Sequence, residues 1–384
     1  MHGVKRLFAW MIPRFDGERF TVSLVSLRKR DESEDNLERF GIDVTYLNRG
    51  RFDPLTLPAL LRVLKEKQTD VLHMHGYGAT TFGRLAAAWY RIPTVLHEHA
   101  NLTSTPWFQQ VADELLLPFT DLAIAVSRST AEFVVNARRI PPGLTRVVYL
   151  GAPLDDFGRV RSADEVRAAR LAIDASDETF AVGTVTRLMP SKGNEYLIAG
   201  VLRVLAHCPD VRFYIVGEGE LQGMLKEQVK ALGVSDKVRF VGFMRDVSMA
   251  YAAFDLVVFP SLWEGTPLTA FEALAMGKPI IATDCDGLLD ILTADTDARI
   301  VPKRDAKALA EAIVALRLDD TAREALGRNA RKTGATYDIG QFVQKMERLY
   351  GLMHALSRAT HRQGVAKEDL RFLTTRGHPS GDSV

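Results

Sequence analysis

Cysteine is almost absent from this chain: 384 residues hold two, Cys208 and Cys285. Two isolated thiols make neither a disulfide framework nor a Cys-x-x-Cys metal spacing, so a reducing cytoplasm is the expected compartment. Net charge is missing too. Lys plus Arg (49) nearly cancels Asp plus Glu (48), which excludes a nucleic-acid binder that works by bulk charge. No apolar run approaches the roughly 20 residues needed to span a bilayer. The opening reads as helix rather than signal peptide, with Met1 running almost directly into a segment carrying Lys5 and Arg6. There is no Gly-x-x-x-x-Gly-Lys-Ser/Thr loop, no correctly spaced dinucleotide fingerprint and no internal repeat.

What remains is an ordinary globular composition, 47% hydrophobic and 25% charged, in a chain too long for one typical core. Val4, Leu7, Phe8, Met11 and Ile12 fall at helical spacing before Pro13. Short strand-like runs follow at Phe20 to Leu27, Val44 to Leu47, Val71 to His73, Thr94 to Leu96, Leu122 to Val126 and Arg146 to Tyr149. Helical stretches separate them, as at Leu57 to Lys67, Thr81 to Tyr90 and Thr130 to Arg138. The pattern restarts with strands at Phe180 to Thr184, Val211 to Val216, Val238 to Val241, Leu256 to Phe259, Ile280 to Ala282 and Arg299 to Val301. Strand alternating with helix predicts two doubly wound α/β units, with ligands at the carboxyl ends of the strands in a cleft between domains. The expected divisions are 1–155, a polar linker at 156–178, a second domain at 179–336, a closing helix at 337–360 packing back on the first domain, and a loose tail at 361–384.

Three segments carry candidate chemistry. Residues 264 to 272 place Glu264 and Glu272 with seven residues between them where a strand turns into a helix. Thr266 reads as N-cap and Pro267 as the first helical residue, with Gly277 and Pro279 ending the helix. At about 1.5 Å per residue Glu272 lies roughly 8 Å up the flank, and the first-turn amides between the acids attract an anion. Singly, either acid reads equally as ordinary helix-start decoration. After the first strand of the second unit, Arg187 and Lys192 frame a turn opening a helix at Asn194-Glu195, a receptor suited to a diphosphate. Gly217-Glu218-Gly219 follows another strand end, where small residues let a ligand approach the backbone. In the first unit, His73-Met74-His75 and His97-Glu98-His99 follow strands and read as a polar rim facing substrate. Alternating histidines can ligate zinc, but such sites usually draw on more than one short run.

Arg187 with Lys192, the Gly217-Glu218-Gly219 turn and the Glu264–Glu272 pair occur in this order in the second half of the chain. The combination resembles the retaining glycosyltransferases of family 4, which have the GT-B fold, two Rossmann-like domains facing across a cleft. The resemblance implies that Arg187 and Lys192 grip the diphosphate of a nucleotide-sugar, replacing the metal ion of other glycosyltransferases. It implies that Glu264 contacts the hydroxyls of the transferred sugar and Glu272 the ribose, while amides of Gly265, Thr266, Pro267 and Leu268 bind phosphate. Gly217 and Gly219 would line the donor site, and Phe243 would lie near the base. His99, six residues after Pro93, matches the position where the family places a histidine beside donor sugar and acceptor. No cofactor, metal or nucleic acid is implied. The partners are a nucleotide-sugar and a glycan or lipid-linked acceptor of cell-envelope or exopolysaccharide synthesis.

Several departures stand out. Leu150-Gly151-Ala152-Pro153 replaces an Asn-Gly-Val, and Asp284-Cys285-Asp286-Gly287 a more glycine-rich loop. Relatives begin with a strand and a Gly-Gly loop, whereas this chain begins at the following helix. The first sheet is therefore expected to lack a central member, with Met1 an internal methionine of a longer product. That motivates the alternatives: a catalytically impaired GT-B scaffold, or a GT-B nucleotide-sugar epimerase. Arg138-Arg139 and the amphipathic first helix are the expected contacts with an anionic membrane surface.

Overall fold

In the computed structural model, residues 3–30, 35–50, 53–99, 105–358 and 370–374 are described. The chain divides into two compact units, Met1–Leu150 with Ile339–Val384, and Gly151–Asp338. The first holds strands β1 (Ser23–Ser26), β2 (Asp43–Tyr46), β3 (Leu72–His75), β4 (Thr94–Glu98), β5 (Leu122–Ala125) and β6 (Thr145–Val147). The second holds β7 (Phe180–Val185), β8 (Val211–Val216), β9 (Val238–Gly242), β10 (Leu256–Phe259), β11 (Ile280–Thr283) and β12 (Arg299–Val301). All twelve overlap the runs read from the sequence.

The second unit is one parallel sheet of order β12-β11-β10-β7-β8-β9. Every residue of β7, β10 and β11 is buried, as expected of central parallel strands covered on both faces. An apolar cluster joins Val182, Ile215, Leu225, Val258, Ile281 and Leu309 with the helices around them. The segment 156–178, expected as a linker, carries helix Ala163–Ala172 inside this unit. Ser162 and Glu165 form its capping box, and Arg170 donates to the carbonyls of Ala253, Ser176 and Thr179 and to Asp255. Its polarity reflects capping and one deeply placed arginine, features that a composition reading takes for a linker.

The first unit is also all parallel, but its strands lie in two sheets, β1-β2 and β3-β4-β5-β6. No ladder joins them among the described residues, so the sheet is interrupted at its centre. Helices Thr56–Glu66 and Tyr77–Tyr90 bridge the break through Leu60, Leu64, Ala86 and Ala87, with Val25, Leu47 and Leu72 packed against them. A second small cluster, Leu96, Ala123, Val134 and Ile140, lies farther along. Helix Gly3–Met11 turns Leu7, Phe8, Trp10 and Met11 inward. Helix Ile339–Arg358 belongs to this unit. Of the expected tail, only 370–374 are described. There helix Arg371–Thr374 is packed rather than loose, burying Leu370 and Leu373, with Phe372 under the Arg348 guanidinium.

Candidate active site

In the second unit the strands after β7 run outward in one direction and those after β10 in the other. The β7/β10 pair is therefore the topological switch point, and the crevice beyond its carboxyl ends is the natural ligand position of such a sheet. The loops leaving these two strands hold most of the residues picked from the sequence.

After β7, Arg187 is exposed and meets no carboxylate among the described residues. Pro190–Lys192 forms a 3-10 turn, and Gly193 enters helix Asn194–Leu205 at φ 59°. A Cβ at Gly193 would stand 2.0 Å from the Pro260 carbonyl oxygen, so the two loops are in backbone contact there. The Leu262 amide donates to the Ser191 carbonyl oxygen at 2.8 Å, closing the contact. Across this seam the Lys192 ammonium pairs with Glu264, and the Ser261 hydroxyl donates to the same carboxylate oxygen at 2.9 Å. Ser261 is the one member the sequence reading misses. Its signal is weak, a serine three residues ahead of Glu264 on the strand exit.

Helix Leu268–Ala275 begins one residue later than the capping reading predicts. Pro267 occupies the cap position with ψ 130°, and no side chain caps it. Thr266 is buried ahead of it and is not the N-cap, because Pro267 keeps an extended ψ and the first helical residue is Leu268. The far end matches the reading: the amides of Gly277 and Lys278 donate to the Leu274 and Ala273 carbonyls in a Schellman close. Glu272 is fully buried on this helix, so the two acids differ in environment as well as position. Cys285, also fully buried, has its thiol pushed up to about 12 by burial and then by the charge of Glu264, which leaves it inert.

The Gly217-Glu218-Gly219 turn has another cause than room for a ligand. A Cβ at Gly217 would lie 1.9 Å from the Thr186 oxygen, and one at Gly219 2.3 Å from the Leu188 oxygen. The space is filled by the chain's own loop after β7. That loop is tied on by Leu188 N–H to the Glu218 carbonyl and Leu221 N–H to the Leu188 carbonyl. Phe243, 55% exposed, stands at the next turn, where its amide donates to the Glu218 carboxylate.

His99 lies in the first unit, among four stacked imidazoles. Residues 73 and 75 share one face of β3, and the register sets His75 beside His97 on β4. His75 Nδ1 is 2.7 Å from His99 Nε2, and His73 Nε2 is 3.1 Å from His97 Nδ1. Ring centroids of the successive pairs are 4.2 to 5.1 Å apart. Phe8 meets His75 edge-on, and the Tyr350 hydroxyl bonds His73 Nδ1. Desolvation, helped for His73 by the charge His99 would carry, lowers the His73 pKa to about 3, and desolvation lowers that of His99 to about 4. Desolvation and their histidine neighbours hold His75 and His97 well below the ordinary value, so all four rings are neutral near pH 7.

Behind the histidines is a buried ionic quartet. Arg138 takes both oxygens of Asp113 at 2.9 Å and Glu98 at 2.9 Å, while Arg84 holds Asp113 from the other side. Arg138 is 3% exposed, so it is not the membrane contact expected of it, and its neighbour Arg139 pairs with Glu114. The apolar face of the first helix is buried as well. One group of exposed apolar residues lies on helix Trp107–Leu115, where Trp107, Phe108, Val111 and Leu115 face outward. Among the described residues no helix is long and apolar enough to cross a membrane.

Two doubly wound parallel units, one with paired cations and acids at its switch point, define a GT-B protein. HepE of Anabaena, solved in complex with UDP, shares the fold at a TM-score of 0.80 and 22% identity, covering 91% of this chain and 96% of its own. A glycosyltransferase from Rickettsia africae does so at 0.80 and 17%, over 91% and 95%. Residues 1–156 match the family model described as Glycosyltransferase Family 4, and residues 179–319 the one described as Glycosyl transferases group 1. The chain belongs to the family-4 glycosyltransferases and is a glycosyltransferase. It is 24% identical to a UDP-Gal:alpha-D-GlcNAc-diphosphoundecaprenol alpha-1,3-galactosyltransferase of Escherichia coli, over 91% of this chain and 94% of that one. It is 29% identical to a phosphatidyl-myo-inositol mannosyltransferase of Mycolicibacterium smegmatis, over 84% and 81%.

Proposed function

We propose that this protein transfers a hexose from a nucleotide-sugar to a lipid-linked glycan acceptor, with retention at the anomeric carbon and without a metal ion on the diphosphate. The observation that carries the reading is the Lys192–Glu264 pair at the switch point, with Arg187 exposed on the loop that carries Lys192 and Glu272 buried on the following helix. Two cations at one helix entrance can neutralise a departing nucleoside diphosphate. The donor's diphosphate competes with Glu264 for the Lys192 ammonium, and the carboxylate so released is free to accept from sugar hydroxyls. Glu272 holds the ribose, amides of Gly265 to Leu268 take phosphate, Phe243 borders the base, and His99 serves the acceptor side. The leaving diphosphate helps deprotonate the acceptor, so the scheme needs no protein nucleophile. Two free, buried cysteines suit a cytoplasmic enzyme. The lipid-linked acceptor is favoured because the names of the Escherichia coli and Mycolicibacterium relatives specify lipid-borne substrates.

The test is a product analysis. UDP-, GDP- and ADP-sugars are offered with polyprenyl-diphosphate-linked acceptors, and the new linkage is assigned by NMR. The expected product keeps the donor's anomeric configuration at a rate unchanged when Mg(II) and Mn(II) are left out. An inverted product, or turnover only with added metal, overturns the scheme.

A peripheral membrane contact through the exposed face of helix Trp107–Leu115 fits the same acceptor class. Sedimentation with anionic liposomes checks it. Binding should fall at least severalfold in Trp107→Ser with Leu115→Ser, and equal binding by the variant refutes the contact.

A further inference from the structure

We propose that His73, His75 and His97 form a binding site for one divalent transition-metal ion of the Zn(II) class, each giving one ring nitrogen. The two histidine runs lie on neighbouring strands in register, which supplies the second run that a single short motif lacks. One nitrogen from each of the three residues lies within 4.8 Å of the others. The His73 Nε2 and His97 Nδ1 separation of 3.1 Å is close to the edge of about 3.3 Å that a tetrahedron with Zn–N bonds of about 2.0–2.1 Å requires. Side-chain rotation by about 1–2 Å closes the widest pair.

Counting protons shows that the cluster leaves one ring atom unmet. A neutral imidazole carries one N–H. Suppose Tyr350 donates to His73 Nδ1 and His73 Nε2–H donates to His97 Nδ1. The His97 Nε2 proton then has no acceptor. Suppose instead that the chain runs the other way, from His97 Nδ1–H to His73 and on to the Tyr350 oxygen. His97 Nε2 is then a lone pair without a donor. Either way the chain ends at that atom, which is buried with no partner among the described residues, in a ring that is 0% exposed. An unmet polar atom at such depth is costly, and an ion held at Nδ1 fixes it as the ring's one N–H.

The donor set selects the ion. Three imidazoles without a carboxylate suit Zn(II), Ni(II) or Cu(II), whereas Mg(II) and Ca(II) demand oxygen. His73, His75 and His99 keep partial accessibility, which leaves a route from solvent to His97. Tyr350 on His73 and His99 on His75 are the outer hydrogen bonds that orient two of the ligands. The ion would staple the β3–β4 face to helix Ile339–Arg358, which carries Tyr350. It is separate from the diphosphate, whose handling uses Arg187 and Lys192.

The experiment reads metal uptake rather than transfer, so its failure and that of the proposed activity are distinguishable. Chelator-treated full-length protein is titrated with Co(II) alone and then with Zn(II). One equivalent of Co(II) should bind with the intense visible bands of four- or five-coordinate geometry, and Zn(II) should displace it. His97→Gln and His73→Phe should each weaken uptake at least about 100-fold, with circular dichroism checking their fold. His207→Ala, at an exposed histidine of the other unit, should change nothing. In the unsubstituted protein, ring ¹⁵N shifts of His73, His75 and His97 should move on adding Zn(II), which needs no variant to fold. Absence of stoichiometric uptake overturns the proposal. So does uptake that survives in His97→Gln, or that is lost with His361→Ala or His378→Ala in the tail.

Discussion

The two units follow the same winding rule and are held together differently. The second has one six-stranded sheet with a large apolar cluster packed on it, and its candidate residues leave neighbouring strands at the switch point. Among the described residues the first has two sheets, small apolar clusters, and polar chemistry beside them: an ionic quartet and a histidine stack. A continuous buried sheet positions its loops by backbone alone, as at Gly193 against Pro260. An interrupted one relies on side chains that must each find a partner. The function should therefore be most sensitive to side chains in the second unit, and the stability to side chains in the first.

The largest expected effect tests the first half of that contrast. Lys192→Ala removes one stabiliser of the departing charge and should lower kcat by about 10²–10³-fold, the usual loss for such a group. Glu272→Gln should cost a similar factor, mainly through donor binding. Neither should move the melting midpoint by more than about 3 °C, because β7, β10 and the apolar cluster are untouched. Steady-state kinetics beside calorimetry decides it. Near-normal turnover in Lys192→Ala removes the diphosphate role, and a collapse of the fold shows that the pair is structural.

The same contrast governs how much the sequence reveals. Twelve strands are legible because parallel strands buried on both faces are short apolar runs, and Leu256-Val257-Val258-Phe259 has no other reading. The cations and acids of the second unit are legible because they sit at fixed offsets from strand ends. What hides is whatever depends on a partner far along the chain. Nothing near Arg138 announces Asp113 or Glu98, so it reads as a surface cation although it is 3% exposed. The histidine runs are visible but not their register, which alone makes one cluster of them. Gly217 shows the opposite error: the glycine is legible, but its cause, the oxygen of Thr186, lies in another loop. Thr266 and Pro267 fail for a local reason, since proline shifted the start of the helix by one residue.

The smaller effect concerns stability and probes the first unit. Arg138→Met keeps much of the side-chain volume while removing a guanidinium that serves Asp113, Glu98 and the Thr80 hydroxyl. Arg84 still faces Asp113, but Glu98 loses one buried ion-pair partner beside His97 and His99. Breaking a buried ion pair by removing one partner costs about 3–5 kcal/mol, since the stranded charge stays desolvated. Denaturant unfolding should therefore show a destabilised first unit, while nucleotide binding in the second persists at unchanged affinity. Adding Glu98→Gln should recover part of the loss, because the stranded charge is then gone. A change below about 1 kcal/mol in Arg138→Met would mean that the quartet is solvated in solution and that the first unit, like the second, is held by its apolar clusters.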